Sequence, residues 1–158
     1  MSRDIRDRTF ADLKEGEDLK PLHITVTQEH IDGFQEFLGH FETEGYWSKS
    51  PGKNLHADED YARQHIYGSV VGDANQTIQY LCQVVTDSLP WGSLLSGHSD
   101  LDIKLVNPTR LGDTVVVSGK IVEKRTEDGR NFAICEVIAN KRGDKVVAIG
   151  TITAWVPC

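Results

Sequence analysis

Two side chains stand out for type and setting: His56 and Asp73. His56 lies in the segment G-K-N-L-H-A-D-E-D-Y-A, residues 52–62, two positions before Asp58. An imidazole titrates near neutral pH and can pass a proton either way, so acid/base catalysis is one reading. Packing or hydrogen bonding of the loop is the other. Asp73 lies in V-V-G-D-A-N, residues 70–75, where the most apolar helical pattern of the chain begins. There it either caps the helix by accepting from its first amides, or serves as a base or nucleophile beside the helix start. Asn54 and Asn75 could hold a water or a carbonyl, with Asn54 also suited to shaping the loop. Tyr46 and Trp47 are aromatics in a Gly-, Ser- and Pro-containing loop, and either touch a ligand or cover the core. His56-x-Asp58 is too short a pattern for a metal site, and none is expected.

These residues need elements to position them. Residues 1–26 read as irregular with one short strand near Leu22–Val26. Thr27 is placed to cap a helix carrying Ile31, Phe34, Leu38 and Phe41 at three- and four-residue spacing, with Gly39 and Gly45 near its end. Asp58 caps a short helix whose acidic first turn suits the helix dipole. Asp73 and Gln76 have capping-box spacing ahead of an apolar stripe of Ile78, Leu81, Cys82, Val85 and Leu89, widened by Val84, and Pro90 stops that helix.

From Gly97 the apolar period becomes two. Leu101, Ile103 and Leu105 alternate with charged residues, and similar runs follow around Val115–Ile121, Phe132–Val137 and Val146–Ile152. Asn107-Pro108, Leu111-Gly112-Asp113, Glu127-Asp128-Gly129 and Arg142-Gly143-Asp144 supply the turns, short enough for an antiparallel meander. Helices followed by strands make an α+β chain, read as one domain over residues 1–158. The economical arrangement curves the antiparallel sheet around the helix Asp73–Leu89, a hot-dog fold.

Bulk properties exclude several functions. A net charge of −7 argues against nucleic acid, whose phosphates need clustered Lys and Arg. No apolar run approaches the roughly 20 residues of a membrane span, and the polar N-terminus does not read as a secretory signal, so a cytoplasmic protein is expected. Cys82, Cys135 and Cys158 form no C-x-x-C pair; the first two fit core patterns, and the third reads as a free thiol. His98 fits a structural or dimer-edge role, and His23, His30, His40 and His65 show no partner pattern.

The segments 52–62, 70–75 and L-D-I-K-L-V-N-P-T-R-L-G-D-T-V, residues 101–115, together with the last strands through Val156-Pro157, resemble the MaoC-like hot-dog hydratase/dehydratase family. P-T-R-L-G-D-T-V is similar to that family's P-V-x-x-G-D-T. His56 and Asp58 match the histidine and last aspartate of its D-x-N-P-x-H-x-D motif, whereas Pro51 stands at the catalytic aspartate. At the family's A-H-G-M the chain has Gly72-Asp73-Ala74-Asn75, with Asp73 in place of the histidine, as in a divergent branch.

The resemblance implies a lyase adding or removing water at an acyl thioester of coenzyme A or an acyl carrier protein. No separate cofactor is required. His56 is then the acid/base, Asp73 a second carboxylate, and the amides near Gly72–Ala74 the oxyanion donors, as suits a helix N-terminus. Asn54, Asn75, Tyr46 and Trp47 complete the expected binding set. A hot-dog thioesterase using Asp73, an isomerase or cyclase, and a non-catalytic acyl-binding subunit are the alternatives. The resemblance also implies a homodimer or higher even-numbered oligomer, in which His56 and Asp73 need not come from the same chain.

Overall fold

The computed structural model describes residues 8–39 and 55–157. Asn54, Tyr46, Trp47, Pro51 and His40 lie outside them, as does Cys158. In chain order the elements are β1 (Leu22–Thr25), α1 (Gln28–Gly39), α2 (Glu59–Arg63), α3 (Ala74–Thr86), β2 (Asp100–Leu105), β3 (Thr114–Glu127), β4 (Arg130–Lys141) and β5 (Lys145–Val156). One antiparallel sheet of order β1-β3-β4-β5-β2 lies against α3, which packs on β3, β4 and β5. The expected α+β, hot-dog arrangement of a sheet wrapped on one helix is what the chain forms.

The hairpins follow from their turn residues. Glu127 pairs with Arg130 across Asp128-Gly129, whose φ angles are 50° and 72°. Left-handed φ at both central positions matches the strand twist, and glycine and aspartate reach it at low cost. Between β4 and β5, Lys141 pairs with Lys145 across three residues, of which Gly143 and Asp144 take left-handed φ. Val122 is inserted between the paired residues Ile121 and Glu123, and Val147 between Ala148 and Val146. Such bulges bend and twist a strand, which curves the sheet toward α3.

The buried residues of α3 are Thr77, Leu81, Val84 and Val85. They pack in one core with Leu89 and with Val117, Ile121, Cys135, Ala139, Ala148 and Ile152 of the sheet. The inward face is therefore rotated from the expected stripe: Thr77 is buried, while Ile78 and Cys82 are half-buried. Regular helix stops at Thr86, with Leu89 N still donating to Val85 O at 2.9 Å. β2 departs further from expectation. Leu101 and Leu105 alternate as predicted but are 43% and 45% exposed. β2 is an edge strand, where Ile103 packs partly buried against the core while the two leucines on either side of it stay half exposed.

Thr27 and Asp58 cap as expected. Thr27 Oγ1 accepts from His30 N at 3.2 Å, and Asp58 Oδ1 from Tyr61 N at 2.9 Å. The capping box at α3 does not form. Asp73 accepts from Asn75 N, whereas the Gln76 amide reaches away to His30 O of α1 at 3.0 Å. No helix among the described residues is long and apolar enough to cross a membrane.

Candidate active site at the start of the buried helix

The site is assembled by three backbone ties. Val71 N donates to Leu55 O at 3.1 Å, and Val71 forms an isolated antiparallel bridge with Arg110. Gly72 N donates to Thr109 O at 3.0 Å. The segment entering α3 is thus held between the turn that carries His56 and the loop before β3. Glycine at 72 is a packing requirement, since a Cβ there would overlap Thr109 Oγ1.

His56 turns inward from its loop, with 15% of its side chain exposed. Its Nδ1 lies 2.8 Å from Val71 O. A carbonyl can only accept, so Nδ1 carries the hydrogen and the neutral ring presents a lone pair at Nε2. Nε2 lies 3.8 Å from Asp73 Oδ2, and the Asp73 side chain is 7% exposed. That separation exceeds a direct hydrogen bond but is within reach of a bridging water. Asp73 is oriented by two donors: Asn75 N reaches Oδ1 at 2.8 Å, and Gln35 Nε2 reaches Oδ2 at 3.1 Å.

The pair opens onto a pocket of about 430 Å³. His56, Gly72, Asp73, Ala74 and Asn75 all line it, so every expected site residue that the structure describes is gathered in one place. Tyr67, Thr77 and the stretch Leu105–Thr109 complete the wall. His56 and Asp73 meet within one chain, so the pair needs no second subunit. The other correction concerns the oxyanion donors. Gly72 N is already spent on Thr109 O and cannot serve. Of the expected set, Asp73 N and Ala74 N remain, with no acceptor among the described residues.

Other chemistry is disfavoured by surroundings. Burial pushes the Cys135 thiol up to about 12 and raises that of Cys82, so neither is a thiolate nucleophile near neutral pH. Among the described residues no three His, Cys, Asp or Glu side chains converge as metal ligands. His98 is exposed and stands apart from the pocket lining.

Gln35 is the site residue that the sequence reading missed. It sits one position past the buried Phe34 and seven past Gln28. Two amides spaced by two helical turns, on the flank of an apolar stripe, were the available signal.

No family model matches the chain, and the curated proteins yield no matching relative. Solved structures do match. The (R)-hydratase PhaJ1 from Pseudomonas aeruginosa aligns with a TM-score of 0.73 at 17% identity, over 94% of this chain and 85% of that one. A MaoC-like dehydratase from Rhodospirillum rubrum aligns with a TM-score of 0.67 at 20% identity, over 94% and 96%. A Mycobacterium tuberculosis protein described as a double hot-dog fold aligns with a TM-score of 0.71 at 14% identity, over 96% of this chain and 44% of that one. Likeness at this level of identity speaks for the fold: the chain has the hot-dog fold, and its structural neighbours include MaoC-like dehydratases and (R)-hydratases.

Proposed function

We propose that the chain is a hydratase/dehydratase of acyl thioesters, with coenzyme A or an acyl carrier protein as the thiol. The observation that carries this reading is the His56 Nε2–Asp73 Oδ2 pair, 3.8 Å apart in the pocket wall. In hydration, a water oxygen bonds to Cβ of the enoyl group and one of its protons passes to Nε2. The electron pair moves through Cα to the thioester carbonyl, giving an enolate. In this reading the amides Asp73 N and Ala74 N, at the positive end of α3, stabilise that oxygen. The imidazolium, paired with Asp73, then returns a proton to Cα, which restores the enzyme. Dehydration is the same path reversed.

Hydrolysis through Asp73 is less suited to the geometry. Both carboxylate oxygens already accept a hydrogen bond, which blunts a nucleophile. A panel of short and medium enoyl thioesters, analysed by mass spectrometry, tests the proposal. A product heavier by one water supports it. Free acid supports a thioesterase instead, and binding without turnover supports an acyl-binding subunit.

The reading includes a second copy of the chain. β2 ends the sheet, and Leu101, Leu105 and Val106 beside it are each close to half exposed. An open strand edge with apolar side chains is stabilised by pairing. Sedimentation at micromolar concentration should show a dimer, and a strictly monomeric chain would remove this part of the proposal.

A further inference from the structure

α1 is tied to both working residues by side-chain amides. Gln35 Nε2 donates to Asp73 Oδ2 at 3.1 Å. Gln28 Nε2 donates to the backbone carbonyl of His56 at 3.2 Å and to Asp32 Oδ1 at 2.7 Å. In the reverse direction, Gln76 of α3 donates to His30 O. Each acceptor is a carbonyl or a carboxylate, so the amide nitrogen must face it and the assignment of these amides is fixed by chemistry. Gln28 and Gln35 are two turns apart on the flank of α1 that carries Ile31, which is fully buried.

We propose that Gln35 is a positioning residue of the active site, acting through Asp73; this rests on the reading of His56 and Asp73 as the working pair. The terminal torsion of an aspartate is broad and carries little preference of its own. The cap bond from Asn75 N holds Oδ1 alone, which leaves the carboxylate free to turn about that anchor. Gln35 fixes the second oxygen, and with it the plane that aims Oδ2 at His56 Nε2. A carboxylate oxygen has two lone-pair sites, so Oδ2 can keep its bond to Gln35 and still accept from an imidazolium. A neutral amide does this without adding a charge that would compete with His56. Gln35 is not among the described residues that line the pocket beside His56 and Asp73, and its contact with that site is through Asp73.

The test is a double-mutant cycle between Gln35→Met, which keeps length but loses the donor, and Asp73→Ser, which keeps a capping oxygen but loses the carboxylate. With a hydrated thioester as substrate, Gln35→Met should lower kcat by about five- to tenfold, the scale of one hydrogen bond. KM should stay within about twofold, because the contact bears on the reacting centre and not on uniform binding. Gln35→Glu should lose at least as much, since an ionised carboxylate repels Asp73. Added to Asp73→Ser, Gln35→Met should cost less than about twofold more. A Gln35→Met enzyme with kcat within twofold of wild type, or an equal loss in both backgrounds, overturns the proposal. The parent reading fails separately, by full turnover in His56→Ala. In that event the same cycle read by denaturant midpoint still decides the contact: additivity of Gln35→Met and Asp73→Ser removes it.

Discussion

His56→Ala is expected to lower turnover by about 10²- to 10⁴-fold, the range typical for loss of a positioned general acid/base. The fold should persist. The ring lies in a turn outside regular secondary structure, and its bond to Val71 O adds to backbone ties that remain without it, namely Val71 N to Leu55 O and Gly72 N to Thr109 O. Circular dichroism should therefore match wild type while product formation from the enoyl thioester falls. His56→Gln separates the chemistry from the tether. A glutamine amide can still donate to Val71 O, but it cannot take a proton from water, so it should be as inactive as alanine. If either variant keeps its fold and turns over within a few-fold of wild type, the imidazole is not the base, whatever the reaction proves to be.

The parts of this site that could be read in advance are those governed by local rules. Asp58, Asp73 and Thr27 are short acceptors directly ahead of helical patterns, and all three cap. Asp128-Gly129 and Gly143-Asp144 demand left-handed turns, and both appear between paired strands. His56 was legible because it precedes a cap in a loop, and Asp73 because it opens the apolar helix. What could not be read were effects set by distant partners. The free amide of Gly72 vanished because Thr109, far along the chain, supplies a carbonyl to it. Gln76 has the spacing of a capping box, yet its side chain is drawn away from Asp73 N to donate to His30 O on α1. Leu101 and Leu105 alternate like core residues, but periodicity reports which face a side chain takes and not how fully that face is covered at the sheet's edge. Gln35 belongs to the same class, since its importance depends on how α1 meets α3.

The second large effect concerns Asp73, where cap and carboxylate can be separated. Asp73→Asn keeps an oxygen for Asn75 N, and the Gln35 amide can turn to present its own oxygen to the new side chain. Stability should change little. What is lost is the negative charge 3.8 Å from His56 Nε2. Two unit charges at about 4 Å attract by about 4 kcal/mol near a protein surface, an upper limit equivalent to about a thousandfold in rate. The tautomer does not depend on Asp73, because Val71 O already holds Nδ1–H. The expected loss in kcat is therefore about 10- to 10³-fold, short of that for His56→Ala. Asp73→Ala should reach a similar loss and, in addition, lower unfolding free energy by about 0.5–2 kcal/mol, the usual cost of a missing N-cap. Mixing Asp73→Asn with His56→Ala should restore nothing, since both residues of a working pair come from one chain. Steady-state kinetics on the two single variants and their mixture, beside denaturant unfolding of each, reads all of these outcomes. Full activity in Asp73→Asn, with the stability loss confined to alanine, would reduce Asp73 to a helix cap and leave His56 to work without a carboxylate partner.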